Sequence, residues 1–452
     1  MVQQGVPLSY PQVREIRMKI LHVNPGYHPV LGGAEFHMKE ISETLVRRGH
    51  EVTVLTTNVR RVHDLCRGNY GQLPACEMVN GVRVVRVHPD GGIVGTGLNF
   101  IHHLRGGYRF LKMFCGEENL DYLLRYPMTI QMIPYILRSN ADIVAAMNWW
   151  FPQAYYVYLA RRLKRFRLVG FPLFHLEQGW TDNQVLRKMI AACDVIIANT
   201  DYEAESSKRS GAKNITVGGV GIWPSLFEEA DGNKIRAKYG LRNLPVVGFV
   251  GRADIPKGAV MVLEAMKSVW KWNETVHLVL AGPHLDPHGP VAQFLNAMPM
   301  SERKRVVQIN DFQESEKASI FDALDVFVLP SVAESFGIAY LEAWMCRKPV
   351  IGARIGSSKC VIKEGEDGLL VTPGKPEELA ESIILLLKDR ELRQRMGEAG
   401  RAKTLANFTW DRVTDRVEKV YHDLLRASLP TENNATRNQP DLYGVENIDS
   451  HH

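Results

Sequence analysis

Six cysteines are scattered at positions 66, 76, 115, 193, 346 and 360, and no two of them stand in a CxxC or other metal-ligand spacing. That argues against a zinc site or a disulfide framework and reads as reduced thiols in a cytosolic protein. No apolar run approaches the roughly 18 residues of a membrane-spanning helix. The opening stretch MVQQGVPLSYPQVREIR lacks the hydrophobic centre of a secretory signal. The expectation is a cytoplasmic protein, with peripheral contact to a membrane left open. Charge of either sign is not concentrated: the formal net charge of +5 is spread along the chain without basic arms, so nothing favours nucleic acid as a partner. No repeat of solenoid length is present.

What is present is apolar content enough for two cores, since 45% hydrophobic residues over 452 positions exceed what one compact domain needs. From Met18 the segment MKILHVNPGYHPVLGGAEFHMKEISETLVRRGHEVTVLTTN reads as strand, glycine-containing loop, amphipathic helix and strand, with Ile41, Leu45 and Val46 on one side of the helix. Strand-like runs follow at VRVVRV, DIVAAM, FRLVGFPLF and DVIIANT. A second series, VVGFVG, VHLVLAG, VVQI, DVFVLP and PVIGA, starts after residue 216. Two doubly wound α/β halves fit this alternation better than one large sheet. The glycine-rich connector KNITVGGVGIWPSLF reads as a hinge, which makes the cleft between the halves the place to expect a ligand. The spacing predicts a flexible extension over 1–17, domains over 18–215 and 216–406, a last helix over 407–427, and a disordered polar tail over 428–452.

The stretch PSVAESFGIAYLEAW holds Glu334 and Glu342, eight positions apart. A helix starting near Phe336 or Gly337 puts Glu334 in the preceding loop and Glu342 in the second turn, roughly 8 Å along the axis at 1.5 Å per residue. Between them the free amides of a helix N-terminus suit a phosphate, and carboxylates accept from vicinal hydroxyls. Sugar, diphosphate and ribose in a row is the outline of a nucleotide sugar. A departing nucleoside diphosphate needs its charge neutralised, yet the chain has no DxD triplet to hold a metal. Instead VVGFVGRADIPKG supplies Arg252 and Lys257 just after a strand, where a parallel sheet opens onto a cleft.

Taken in order, GGAE at 32–35, GFVGRADIPKG and PSVAESFGIAYLEA resemble the retaining family 4 glycosyltransferases of the GT-B fold, over about residues 18–427. The resemblance implies an N-terminal acceptor-binding and a C-terminal nucleotide-sugar-binding domain, both Rossmann-like, with the last helix crossing back to the first. It implies that Glu334 accepts hydrogen bonds from the donor sugar and Glu342 holds the ribose. The amides of Phe336, Gly337 and Ile338, with Arg252 and Lys257, would carry the diphosphate of a UDP- or GDP-hexose without a metal or other cofactor. Gly32 and Gly33 would let their loop approach the donor or acceptor closely, and His175 in FPLFHLEQGW would face the sugar. Transfer would proceed with retention to a glycan, glycolipid or small hydroxylated acceptor. Two alternatives remain open here: a nucleotide-sugar epimerase of the same fold, and a non-catalytic nucleotide-sugar-binding protein.

The chain departs from the pattern in ADIVAAMNWW, where Ala145 and Met147 stand in place of histidines, in RIGSSKCVI, in MCRKPV and in GGVGI. These departures point to an unusual donor or acceptor. Trp149 and Trp150 either stack on an acceptor sugar or bridge core and surface. In NFIHHLRGGYRFLKMF, an apolar stripe of Phe100, Leu104, Tyr108 and Leu111 beside Arg105, Arg109 and Lys112 would suit an anionic membrane carrying a lipid-linked acceptor, or a helix packed on the protein itself.

Overall fold

The computed structural model describes residues 17–30, 32–60, 73–89, 129–174 and 183–427, with 113, 116, 119, 120 and 176. The expected N-terminal extension, Arg17 apart, and the C-terminal tail lie outside the described residues. So does the stretch 99–112, which carried the membrane expectation.

An eight-stranded sheet takes up the first half, in the order β3-β4-β2-β1-β5-β6-β7-β8. Its strands are β1 (Lys19–Val23), β2 (Glu51–Thr57), β3 (Cys76–Val79), β4 (Val82–Val87), β5 (Ile143–Met147), β6 (Arg167–Phe171), β7 (Val195–Ala198) and β8 (Ile215–Val217). All pairings are parallel except β3 with β4 at the edge. Helices α1 (Gly33–Arg47), α2 (Met132–Arg138), α3 (Gln153–Leu163), α4 (Gln184–Ala192) and α5 (Asp201–Arg209) connect or cover it. Strands such as IVAAM are buried at every position, because helices close both faces of a parallel sheet.

A six-stranded, wholly parallel sheet forms the second half, in the order β11-β10-β9-β12-β13-β14. It comprises β9 (Val246–Val250), β10 (His277–Gly282), β11 (Val306–Asn310), β12 (Val326–Leu329), β13 (Val350–Ala353) and β14 (Gly368–Val371). Its helices are α6 (Gly232–Lys238), α7 (Ala259–Trp272), α8 (Pro290–Ala297), α9 (Met300–Arg303), α10 (Glu314–Asp322), α11 (Ile338–Met345), α12 (Gly356–Val361), α13 (Pro376–Lys388) and α14 (Arg390–Asn407). The chain is therefore two α/β domains, each a doubly wound sheet. Three strands escaped the sequence reading. β3 alternates exposed and half-buried positions at an edge, β8 lies inside the glycine-rich stretch read as a hinge, and β14 is only four residues long.

The last helix, α15 (Trp410–Arg426), starts beside α14 and lies along α1. Thr409 caps it by accepting the Arg412 N–H, and Trp410, Val413, Val417, Val420 and Tyr421 form its buried stripe. Polar contacts fix it to the first domain: Tyr421 Oη lies 3.0 Å from His22 Nε2, and Arg48 donates to Glu418 at 2.6 Å. The Trp410 ring packs against those of Phe36 and His37.

Candidate functional site

In each sheet the chain winds outward from a central strand, then returns to begin again on that strand's other side. The reversals fall between β1 and β5 and between β9 and β12. Loops diverge there at the carboxyl ends of the strands, leaving a crevice. The two crevices contribute to one cavity of about 530 Å³. The first domain lines it with Gly32 to Glu35 and His37 after β1, Asn148 after β5, Leu173 after β6 and Asn199 after β7. The second supplies Gly251, Arg252 and Lys257 after β9 and Glu334 to Ala339 after β12. Asn148 (φ 60°) and Leu173 (φ 56°) sit in the left-handed region, which for leucine is a costly conformation of the kind found at binding sites.

On the second domain's face the charges are paired. The loops after β9 and β12 are tied together, since Val332 N–H and Ser331 Oγ both donate to the Pro256 carbonyl, at 2.9 and 3.1 Å. Gly258 (φ 81°) permits this, because a Cβ there would collide with the carbonyl of Pro330. The contact brings Lys257 Nζ to 2.6 Å from Glu334 Oε2, with Glu334 only 8% exposed. Arg252 is open to solvent and lies 3.6 Å from Asp254. Gly337 (φ 92°) caps α11, so the helix begins at Ile338, a residue or two later than the sequence suggested. A Cβ on Gly337 would overlap the ring of Tyr340. In this first turn Tyr340 N–H turns back to the Gly337 carbonyl at 2.9 Å, and the amides before it, with no residue a full turn ahead in the helix to accept from them, point along its axis, as an anion site requires. The ring of Phe336 turns away and packs edge-on against Phe408, leaving the backbone to the cavity.

Glu342 stands one turn further along α11 and is not among the described residues that line the cavity. Its carboxylate is 2.5 Å from Lys317 Nζ on α10. Burial alone would lower the Lys317 pKa, but the carboxylates of Glu342 and Glu314 outweigh it and push the ammonium up to about 12. Sequence reasoning passed over Lys317, because nothing in QESEK relates it to a glutamate 25 positions on.

On the first domain's face two buried side chains each hold a polar atom that nothing meets. Glu35 is 3% exposed, and its Oε1 finds no hydrogen-bond partner. Burial raises its pKa above the ordinary carboxylate value, with its own backbone amide opposing the shift. His37 is 2% exposed, with Nε2 likewise unpartnered, and burial lowers its pKa to about 3, so the ring is neutral. Each unmet group costs about 1–3 kcal/mol. Of the cavity-lining residues described, only these two carry buried side-chain polar atoms left unmet. Both stand in GGAEFH, where the glycines drew attention and the polar residues did not.

The other expected residues divide. Gly32 is extended (φ 177°), so its backbone makes no demand for glycine. A Cβ at Gly33 would meet nothing within 4 Å, and both residues line the cavity. Trp149 is buried, donates Nε1–H to the Ala146 carbonyl and packs edge-on to Phe174, which is the core placement of the two weighed above. Trp150 is partly exposed, and neither tryptophan is among the described residues lining the cavity. Ala145 and Met147 are buried within β5. His175 lies outside the described residues.

Away from the cavity His50, Glu418 and His422 converge. His50 Nδ1 accepts the Met18 N–H, so its proton sits on Nε2 and is donated to Glu418 at 2.7 Å. Arg48 holds the other carboxylate oxygen. That leaves no free lone pair on His50, and the cluster is a latch for α15 and not a cation site.

The family described as "Glycosyl transferases group 1" matches residues 231–403, and "Glycosyl transferase 4-like domain" matches 32–220. The D-inositol 3-phosphate glycosyltransferase of Segniliparus rotundus is 30% identical over 460 residues, covering 95% of this chain and 93% of that protein. The protein of the same name from Corynebacterium diphtheriae is 24% identical, with 90% and 94% covered. Sucrose-phosphate synthase from Thermosynechococcus elongatus shares the fold with a TM-score of 0.68 at 19% identity, over 91% of this chain and 100% of that one. Anabaena HepE, solved with UDP-glucose, does so with a TM-score of 0.66 at 19% identity, over 91% and 100%.

Proposed function

Because the chain belongs to the group 1 glycosyltransferases, with the GT-B fold, we propose that it moves a hexose from a nucleotide sugar to a hydroxyl of a glycan, glycolipid or small polyol, with retention and without a metal. The observation that carries this reading is the convergence in one cavity of Arg252, the Lys257–Glu334 pair and the open turn at 336–338, with the first domain's Gly32–His37 segment opposite. A UDP-hexose is the first donor to try, since a protein of the same fold was solved with UDP-glucose.

In this reading Glu334 accepts hydroxyls of the transferred sugar, and Lys257 holds that carboxylate while facing the diphosphate. Arg252 and the amides of 336–338 take up the charge that grows on the leaving phosphate, as fixed donors do best in a site that excludes water. Glu342, steadied by Lys317, accepts from the ribose. The acceptor hydroxyl attacks from the face that the diphosphate leaves, and a phosphate oxygen takes its proton, so no carboxylate is needed as a base. His175 would support the sugar from the first domain.

The test is release of nucleoside diphosphate from UDP-, GDP-, ADP- and dTDP-sugars in excess EDTA, with Glu334→Ala beside the wild type. Release from one donor that the variant loses supports the transferase. An isomerised donor sugar would point to an epimerase, and failure to bind any of the four would overturn the reading.

A further inference from the structure

We propose that Glu35 Oε1 and His37 Nε2 form a subsite that takes hydroxyls of an uncharged polyol acceptor, and that Glu35 turns away acceptors carrying a phosphate there. The inference rests on the transferase reading and adds to it the chemical class of the acceptor.

Both residues come from the start of α1, at the reversal point of the first sheet, and both line the cavity opposite the paired charges of the second domain. Each presents one buried polar atom that no protein group satisfies. A carboxyl with an imidazole is a mixed set of donors and acceptors, and the hydroxyls of a polyol, each donating one bond and accepting two, can meet either kind. A phosphate oxygen only accepts. Against Glu35 it would face either an anion or a single proton, and it would gain no positive charge from His37, which burial keeps neutral down to about pH 3.

The place for Glu35 is built by the loop after β1. A Cβ on Gly26 would lie 2.9 Å from Glu35 Cγ and 3.2 Å from Oε1, so the side chain fills the space this glycine leaves. His37 packs against the rings of Trp410 and Phe171, at centroid distances of 5.4 and 6.2 Å. Neither group can swing to a partner elsewhere without repacking, which is how a subsite differs from a chance vacancy.

The test uses the full-length protein and the donor that it turns over. Initial rates of nucleoside diphosphate release are compared with glucose against glucose 6-phosphate, fructose against fructose 6-phosphate, and myo-inositol against its 1-phosphate. The wild type should favour at least one neutral member over its phosphate at least tenfold. Glu35→Gln, which keeps the hydrogen bonds and removes the acid, should narrow that ratio at least fivefold by lowering the KM of the phosphorylated partner. Gly26→Ala, which displaces Glu35 without removing it, should raise the KM for the neutral polyol at least fivefold while donor Kd stays within twofold. A wild-type preference for the phosphorylated members, no acceleration by any neutral polyol, or an unchanged ratio in Glu35→Gln would overturn the subsite. If no donor binds to the wild type, the transferase reading has failed and the subsite falls with it.

Discussion

The two faces of the cavity treat buried polar groups in opposite ways. On the second domain Glu334 is met by Lys257, and further along Glu342 is met by Lys317, at 2.6 and 2.5 Å. On the first domain Glu35 and His37 are as deeply buried, and each keeps one polar atom, Oε1 and Nε2, without a partner. Charges held by the protein are ready to act on a ligand of fixed shape and charge, as preorganisation demands. Polar atoms left unmet cost stability until something supplies their bonds. The contrast divides the labour: the paired face suits the donor, the unpaired face the acceptor.

The largest effect should come from cutting a pair at the reacting centre. Lys257→Met removes positive charge from the diphosphate and leaves Glu334 unpaired, so steady-state turnover should fall by roughly 10²–10³. A fall of less than tenfold would show that the pair is structural only. Next, Lys317→Met should weaken a bound nucleoside diphosphate by about tenfold, near 1.4 kcal/mol, through a misplaced Glu342. Pyrophosphate, which has no ribose, should be unaffected by this change, and Lys317→Arg should restore most of the loss. Equal weakening of both ligands by calorimetry would mean that Lys317 only supports the domain.

Stability should separate the faces as well. His37 and His22 both have pKa values lowered to about 3 by burial. In each case the fold favours the neutral ring, so its contribution is complete above the ordinary value of about 6.5 and is lost as pH falls from there toward 3. Replacing one such histidine, as in His37→Gln, should flatten the fall in stability between pH 6 and 5 by about 1 kcal/mol. An unchanged slope in thermal melts would show that the ring is more hydrated than its burial implies. The smallest effect carries the sharpest contrast of sign: Glu35→Leu should raise stability by about 1 kcal/mol, because an unmet group disappears. Glu334→Ala should lower it, because Lys257 is stranded. If both variants lose stability alike, the faces do not differ as described.

Much of this was legible in the sequence wherever the information is local. VTVLTT, VVGFVG and DVFVLP are β-branched or apolar runs that must be buried on both sides, and they form β2, β9 and β12. The motifs after β9 and β12 carry the cavity's cations and Glu334 because loops at a reversal point occupy fixed places. Pairings between distant segments were not legible. Lys317 with Glu342, and Pro256 with Val332, depend on how α10 and α11 or two loops pack, which no spacing records. Glu35 and His37 were hidden for a different reason: a polar residue at the start of an amphipathic helix ordinarily faces water. Here α15 lies along α1 with its Trp410 ring against Phe36 and His37, and Glu35 packs into the space left by Gly26.

The measurement that tests the division most directly is equilibrium binding of UDP, GDP, ADP and dTDP by calorimetry in EDTA, to the wild type, Lys257→Met and Glu35→Leu. One nucleoside diphosphate should bind the wild type, at least tenfold more weakly to Lys257→Met, and within twofold of wild type to Glu35→Leu. No binding by any of the four, or an equal loss in Glu35→Leu and Lys257→Met, would contradict the assignment of donor and acceptor to opposite faces.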